Sequence, residues 1–282
     1  MHFKKDKTTM LNFISFGSGS SGNCYFFYND TDNLMVDVGV GIRTLKKHFS
    51  NYGLSLSQIQ NIIVTHDHAD HIKSVGCISK DFHIPVYATA TVHHGIERNY
   101  CVRAKVPVGN KHVIENGVMQ KLGNFNITSF HVPHDSMDCV GYQIEHEGMT
   151  IVLATDVGEI TDEIRKAISV ADYLIIEANH DEAMLMSGPY SAYLKQRVSG
   201  PNGHLSNKNC AKVIAEEASE KLKHIWLCHL SEENNHPELA RITIEQTLAE
   251  AGKPIGGSLK LDVLKRKIPT GVFKLTSDNE QD

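Results

Sequence analysis

His66-Asp67-His68-Ala69-Asp70-His71 gathers three imidazoles, with carboxylates between them, into six residues directly after the apolar run Ile62-Ile63-Val64. That run, closed by Thr65, predicts a buried strand. The cluster then falls at the strand's C-terminal end, in a turn before a helix. A metal site needs neutral imidazoles and ionised carboxylates converging on one point. A tight turn supplies the convergence, because residues two apart no longer follow the alternation of a strand. A solvated polar loop would hold these residues at this spacing only by chance, so the stretch reads as a metal-binding motif.

Three more residues are placed to complete such a site. His134 lies in His131-Val132-Pro133-His134-Asp135, Asp156 follows the strand-like Ile151-Val152-Leu153-Ala154-Thr155, and His229 follows Ile225-Trp226-Leu227-Cys228. Each falls at or just after the C-terminal end of a predicted strand. Taken singly, a strand-end histidine is more often a surface or capping residue, and an aspartate there usually caps a turn. Taken together those readings lose, because the six-residue cluster already requires partners.

With these residues in hand the chain resembles the metallo-β-lactamase fold: H-x-H-x-D-H, then a distant His, an Asp and a His, over about residues 12 to 273. The resemblance implies an α/β architecture, an αββα sandwich of two mixed β-sheets flanked by helices. It implies two divalent metal ions, one held by His66, His68 and His134, the other by Asp70, His71 and His229, with Asp156 between them. Asp37, in Val36-Asp37-Val38-Gly39, matches an early aspartate that supports the site; locally it also reads as a turn residue beside Gly39. Four further stretches look like the YycJ/WalJ branch, related to tRNase Z and PhnP-like phosphodiesterases: Gly17-Ser18-Gly19-Ser20-Ser21-Gly22-Asn23, Glu177-Ala178-Asn179-His180-Asp181, Gly203-His204-Leu205-Ser206-Asn207 and His229-Leu230-Ser231-Glu232-Glu233-Asn234-Asn235. That branch implies a metal-dependent hydrolase of phosphodiester bonds, a 5′-3′ DNA exonuclease gripping a strand end. The alternatives are a small-molecule phosphodiesterase or ester or thioester hydrolase and, from another class, a non-hydrolytic metal-binding or di-iron protein. Fold resemblance alone does not choose among these.

Composition fits an enzyme with one large core: 282 residues, 41% hydrophobic and 22% charged. We expect a flexible leader over 1–10, one domain over 11–275 and a flexible tail over 276–282. No apolar run approaches the ~20 residues of a membrane span, and no apolar segment follows the basic start as a secretory signal requires. Six cysteines without C-x-x-C pairing predict a reducing, cytoplasmic home. A net charge of −5 argues against an extended non-specific DNA-binding face while leaving room for a local basic groove. Ten strands alternate with six helices, the second helix over 69–80 and the fifth over 207–221.

Two cations held together would furnish a hydroxide nucleophile near neutral pH and clamp both oxygens of a phosphodiester. A histidine-rich set of donors favours Zn²⁺ or Mn²⁺ over Mg²⁺. The departing alkoxide needs an acid. His204 follows the turn Gly200-Pro201-Asn202-Gly203, and Glu177, ending a strand, would orient it and keep it protonated. Asp70, Glu177 and His204 are thus the expected catalytic residues. His204 also reads as a plain helix-start residue, and His180 is a rival that would bind substrate or sit in its loop. Candidate substrate contacts are Ser20 and Asn23 in the glycine-rich turn, Lys195 and Arg197 in the 187–197 segment, and Ser231 and Asn234 after His229. The 187–197 segment reads equally as a phosphate-binding loop or an amphipathic helix. Lys265-Arg266-Lys267 reads as a solvated edge rather than a DNA grip.

Overall fold

The computed structural model describes residues 10–277. The leader and tail expected over 1–10 and 276–282 lie outside the described residues except for Met10, Thr276 and Ser277.

Two seven-stranded sheets pack face to face. The first contains β1 (Leu11–Gly17), β2 (Cys24–Tyr28), β3 (Asn33–Val36), β4 (Ile62–Ile63), β5 (Val86–Ala88) and β6 (Lys111–Val113). The second contains β7 (Gln120–Leu122), β8 (Phe125–His131), β9 (Val140–His146), β10 (Met149–Ala154), β11 (Tyr173–Glu177), β12 (His224–Cys228) and β13 (Lys260–Val263). The last strand, β14 (Thr270–Leu275), returns to pair with β1. The orders are β14-β1-β2-β3-β4-β5-β6 and β13-β12-β11-β10-β9-β8-β7. Both sheets are mixed. The first turns parallel from β3 to β6, the second from β10 to β13.

Each central strand buries both faces, which is why it reads as an unbroken apolar run rather than an alternating one. In β2, Tyr25 and Phe27 meet the opposite sheet, while Cys24 and Phe26 pack under helices. In β12, Trp226 and Cys228 face the other sheet and Ile225 and Leu227 face helices. Helices α1 (Ile42–Asn51), α2 (Ala69–Ile72), α3 (Val75–Phe82) and α4 (Ala90–Arg98) follow strands of the first sheet. Helices α5 (Asp162–Ser169), α6 (Glu182–Ser187), α7 (Ala192–Ser199), α8 (Asn207–Glu217) and α9 (Pro237–Glu250) follow strands of the second. The result is the αββα sandwich. None of these helices is long and apolar enough to cross a membrane, and all six cysteines are unpaired.

Some elements depart from the sequence reading. The helix expected over 69–80 is broken into α2 and α3. An unbroken helix would join the Ser74 amide to the Asp70 carbonyl. Instead that carbonyl takes the Asn23 amide at 2.7 Å, and the Ser74 amide turns to Val38 O at 2.9 Å. The helix expected to reach 221 stops at Glu217, where Lys253 Nζ takes the carbonyls of Ala215 and Ala218. The 182–199 stretch forms α6 and α7, capped by Asp181 and Ser191. Strands β6, β7, β13 and β14 were not foreseen.

Candidate active site

The strand ends at one edge of the sandwich carry the chemistry. Asp37 follows β3, His66 lies just beyond β4, Asp156 follows β10, Glu177 ends β11 and His229 follows β12. Three of these residues, Asp37, Asp156 and His229, have left-handed backbones with φ of 59°, 54° and 52°. Such a conformation costs an L-residue roughly 1–2 kcal/mol. It swings each side chain off its strand and into the space between the sheets' ends.

Asp37 is fully buried and organises the motif turn. Its Oδ1 accepts the Thr65 amide at 2.9 Å, and its Oδ2 accepts Thr65 Oγ1 at 2.8 Å and His71 Nδ1 at 2.7 Å. With Nδ1–H so committed, His71 presents Nε2 to the site, 3.2 Å from Asp156 Oδ2. His66 donates Nδ1–H to Thr65 Oγ1 at 3.0 Å, which leaves its buried Nε2 without a partner. His134 donates Nδ1–H to Gly203 O at 3.0 Å, and its Nε2 lies 3.3 Å from His68 Nδ1. His229 Nδ1 is 2.8 Å from Glu177 Oε1; its Nε2 is buried and unpartnered, 3.6 Å from Asp70 Oδ2.

The donor atoms of His66, His68 and His134 lie within 4.8 Å of one another, as do those of Asp70, His71 and His229. Asp156 falls within the same reach of His66 and His71 on one side and of His229 on the other. The residues suit divalent cations on three grounds. Two imidazole nitrogens are buried with nothing to bond. The donor set is histidine with carboxylate. The field is strongly acidic: burial opposes charge on His71, yet Asp156, Asp37 and Asp70 push its pKa up to about 10. Asp70 in turn is held down at about 2, burial being outweighed by His71 and His229. Carboxylates that draw protons onto His71 and His229, beside His66 and His134 that burial keeps neutral, make a site where cations would replace the protons.

Beside this cluster His204 Nδ1 sits 2.8 Å from Glu177 Oε1, with the ring's side chain 21% exposed. The other oxygen of Glu177 accepts the amides of Val157 at 2.8 Å and Leu205 at 3.0 Å, so the carboxylate is locked. Burial would raise the pKa of Glu177, but His204 and His229 hold it at about 2. Burial would lower that of His204, but Glu177 overrides it and the imidazole titrates above its ordinary range.

A cavity of about 260 Å³ opens next to His204 and His229, and of the candidate substrate contacts Ser20, Arg197, Ser231 and Asn234 line it. Tyr190 and Asn179 line it too. Three of the proposed substrate contacts do not. Asn23 is fully buried, its Nδ2 2.8 Å from His71 Nε2 and 3.3 Å from Asp70 Oδ2, so it meets the donor atoms of the cluster and not the cavity. Lys195 donates Nζ to Met186 O, tying α7 to α6. His180 is buried, with an unpartnered Nδ1, away from the cavity wall.

Sequence reasoning missed several supports. Asp135, next to His134, takes Arg197 Nε at 2.6 Å, fixing that guanidinium at the mouth of the site. Asp67 accepts Ser136 Oγ at 2.6 Å and packs against Gly95, where a Cβ would lie 2.0 Å from Asp67 Oδ2. Arg266 is not a solvated edge: its Nη1 donates to Ser231 O at 2.9 Å and its side chain covers Gly19. A charged residue one place after a candidate ligand was the only signal for Asp135. Nothing local marks Arg266.

Residues 32–225 match the Beta-lactamase superfamily domain. Exodeoxyribonuclease YycJ of Bacillus anthracis is 31% identical over 93% of this chain and 98% of its own length. Exodeoxyribonuclease WalJ of Streptococcus pneumoniae serotype 2 is 34% identical over 86% of this chain and 90% of its own. Among solved structures, the metallo-β-lactamase fold protein YhfI of Bacillus subtilis superposes with a TM-score of 0.68 at 17% identity, covering 94% of this chain and 99% of that one. With the fold shared end to end and the sequence shared with these relatives over nearly its whole length, the chain belongs to the β-lactamase superfamily, in the branch that holds YycJ and WalJ.

Proposed function

We propose that the chain is a metal-dependent phosphodiesterase that shortens DNA from a strand end in the 5′-3′ direction, working in the cytoplasm. The His204–Glu177 pair, standing beside the candidate ligand cluster and facing a cavity, carries the phosphodiester reading. The exodeoxyribonuclease relatives, matched over nearly their full length, support DNA.

In this reading His66, His68 and His134 would hold one divalent cation and Asp70, His71 and His229 a second, with Asp156 within reach of both sets. Zn²⁺ or Mn²⁺ suits these nitrogen-rich donors. When bound, such cations lower the pKa of water and neutralise phosphate charge. The chain's own residues do the rest. Glu177, fixed by two backbone amides and ionised, holds His204 through Nδ1. That leaves Nε2–H of His204 as the proton to be given to the departing sugar oxygen, a contribution of ~10²–10⁴-fold in rate. Arg197, Ser20, Ser231 and Asn234 position the phosphate from the cavity wall. A thioester would leave without such an acid, so the pair favours phosphodiesters.

The test is a substrate panel. Single- and double-stranded DNA, RNA and cyclic dinucleotides, labelled at either end, are incubated with Zn²⁺- and Mn²⁺-loaded protein. DNA trimmed stepwise from its 5′ end is the expected result. Cleavage of the cyclic compounds alone would instead favour a small-molecule phosphodiesterase, a reading the modest 260 Å³ of the cavity also accommodates.

A further inference from the structure

The cavity beside His204 has room for the end of a strand and little more; pockets that enclose drug-sized molecules begin at ~300 Å³. A second hollow, of about 610 Å³, opens between the start of α9 and the turn joining β13 to β14. Leu230, the residue after His229, lines both. Arg266 stands at the junction. Its guanidinium donates to Ser231 O, and its Cγ would lie 3.2 Å from a Cβ on Gly19, so it touches the loops on both sides of the cleft.

The hollow has an apolar floor and a rim of both signs: Glu232, Glu238 and Asp262 line it along with Arg241, Lys265, Arg266 and Lys267, and Arg241 is paired with Glu238 and Glu245. Leu261 and Leu264 form part of the floor, with Ile268 exposed at the edge. Lys265, Arg266 and Lys267 run consecutively along the rim. Lys267 is paired with Glu232 at 2.7 Å. Arg266 donates to the Ser231 carbonyl and also feels the carboxylate of Glu232, while the ammonium of Lys265 pairs with no carboxylate among the described residues. With Lys267 and Arg241 in ion pairs, Lys265 and Arg266, on the turn beside the cleft, are the lining cations left to meet the phosphates of a passing polyanion.

We infer that this groove carries the continuing DNA strand away from the cleft, its phosphates against Lys265 and Arg266 and its bases over the apolar floor. The inference rests on the reading of the site as a strand-end nuclease. Backbone phosphates bound by lysine and arginine give affinity that falls with salt and carries no sequence preference.

The test uses the metal-loaded full chain and a phosphorothioate-linked DNA strand labelled at its far end, with affinity followed by anisotropy across a salt series. Lys265→Ala and Arg266→Ala are each expected to weaken binding several-fold and to lower the slope of log affinity against log salt by about 1. A dinucleotide probe, too short to reach the groove, should bind the Lys265→Ala variant as it binds the parent. Because Arg266 also packs between loops, the exposed Lys265→Glu and Lys267→Glu provide the decisive comparison. If these two keep the parent's affinity and slope, the groove takes something other than DNA and the inference falls. If the parent itself neither binds nor trims DNA, both the groove and the proposed nuclease activity fall together, before any variant is needed.

Discussion

His204 and His229 share one acceptor atom: the Nδ1 of each lies 2.8 Å from Oε1 of Glu177. One carboxylate oxygen therefore serves two imidazoles with different tasks. It turns Nε2 of His229 toward Asp70, and it steadies His204 beside the cavity. Altering Glu177 should disturb both functions, while altering His204 should disturb one.

His204→Ala is accordingly expected to keep its metal and to lose ~10²–10⁴-fold in kcat on substrates with poor leaving groups. Glu177→Gln should lose metal affinity as well. Metal analysis alongside kinetics on both variants separates the two. Retained turnover of a poor leaving group in His204→Ala would remove the acid from the mechanism.

The pH profile carries a sign. Glu177 raises the pKa of His204, and the protonated imidazole is the working form. Activity is then present below that raised value and lost as pH rises through it. Glu177→Gln removes the carboxylate that raises it, so the alkaline limb of kcat against pH should move to lower pH. An unmoved limb would assign it to another group.

Asp156 lies between the two candidate triads with a left-handed backbone, which asparagine and aspartate tolerate better than most residues. Asp156→Asn should fold normally and bind little metal. Asp156→Ala should lose metal and also unfold more easily, by roughly 1 kcal/mol more than the asparagine variant. Paired urea melts of the metal-free proteins check the difference.

Asp37 touches no candidate ion directly but holds His71 through Nδ1. Removing a partner of this kind typically costs 10–100-fold in metal affinity. Asp37→Ala should show that loss in a competitive chelator titration, and a variant that binds as tightly as the parent would remove Asp37 from the orientation of His71.

Gly39 is the tightest backbone approach in the site: a Cβ there would lie 1.5 Å from the Asp70 carbonyl oxygen. Gly39→Ala should destabilise by at least ~1–3 kcal/mol and displace Asp70. Gly41, two residues on, has nothing within 4 Å of the same added atom. Gly41→Ala should leave the melting transition close to the parent's, so the pair isolates the clash from the general effect of losing a glycine.

The central strands and the seven clustered residues were legible because their signals are local. Strands buried on both faces must be apolar throughout, and divalent cations restrict their donors to a few residue types. What escaped the sequence depends on distant chain segments. Asn23 looks like a turn residue until the fold brings Asp70 and His71 against it. The break between α2 and α3 exists because Asn23 and Val38 take up backbone groups the helix would have used. Strands β13 and β14 are short or mixed in character, and their pairing with β12 and β1 organises them. The α6–α7 segment has strong caps but only one buried side chain between its two helices, Leu185, so hydrophobic periodicity gave little warning of it.

The left-handed turns at Asp37, Asp156 and His229 set a trap for anyone seeking a hardier protein. Glycine would relax the chain at each of them, so screens that reward thermal tolerance alone will be drawn to these three positions. Each such gain would delete an oxygen or nitrogen that the centre has no second copy of. Durability and reactivity are therefore opposed at identifiable codons, and stabilising campaigns on this scaffold should hold those three fixed.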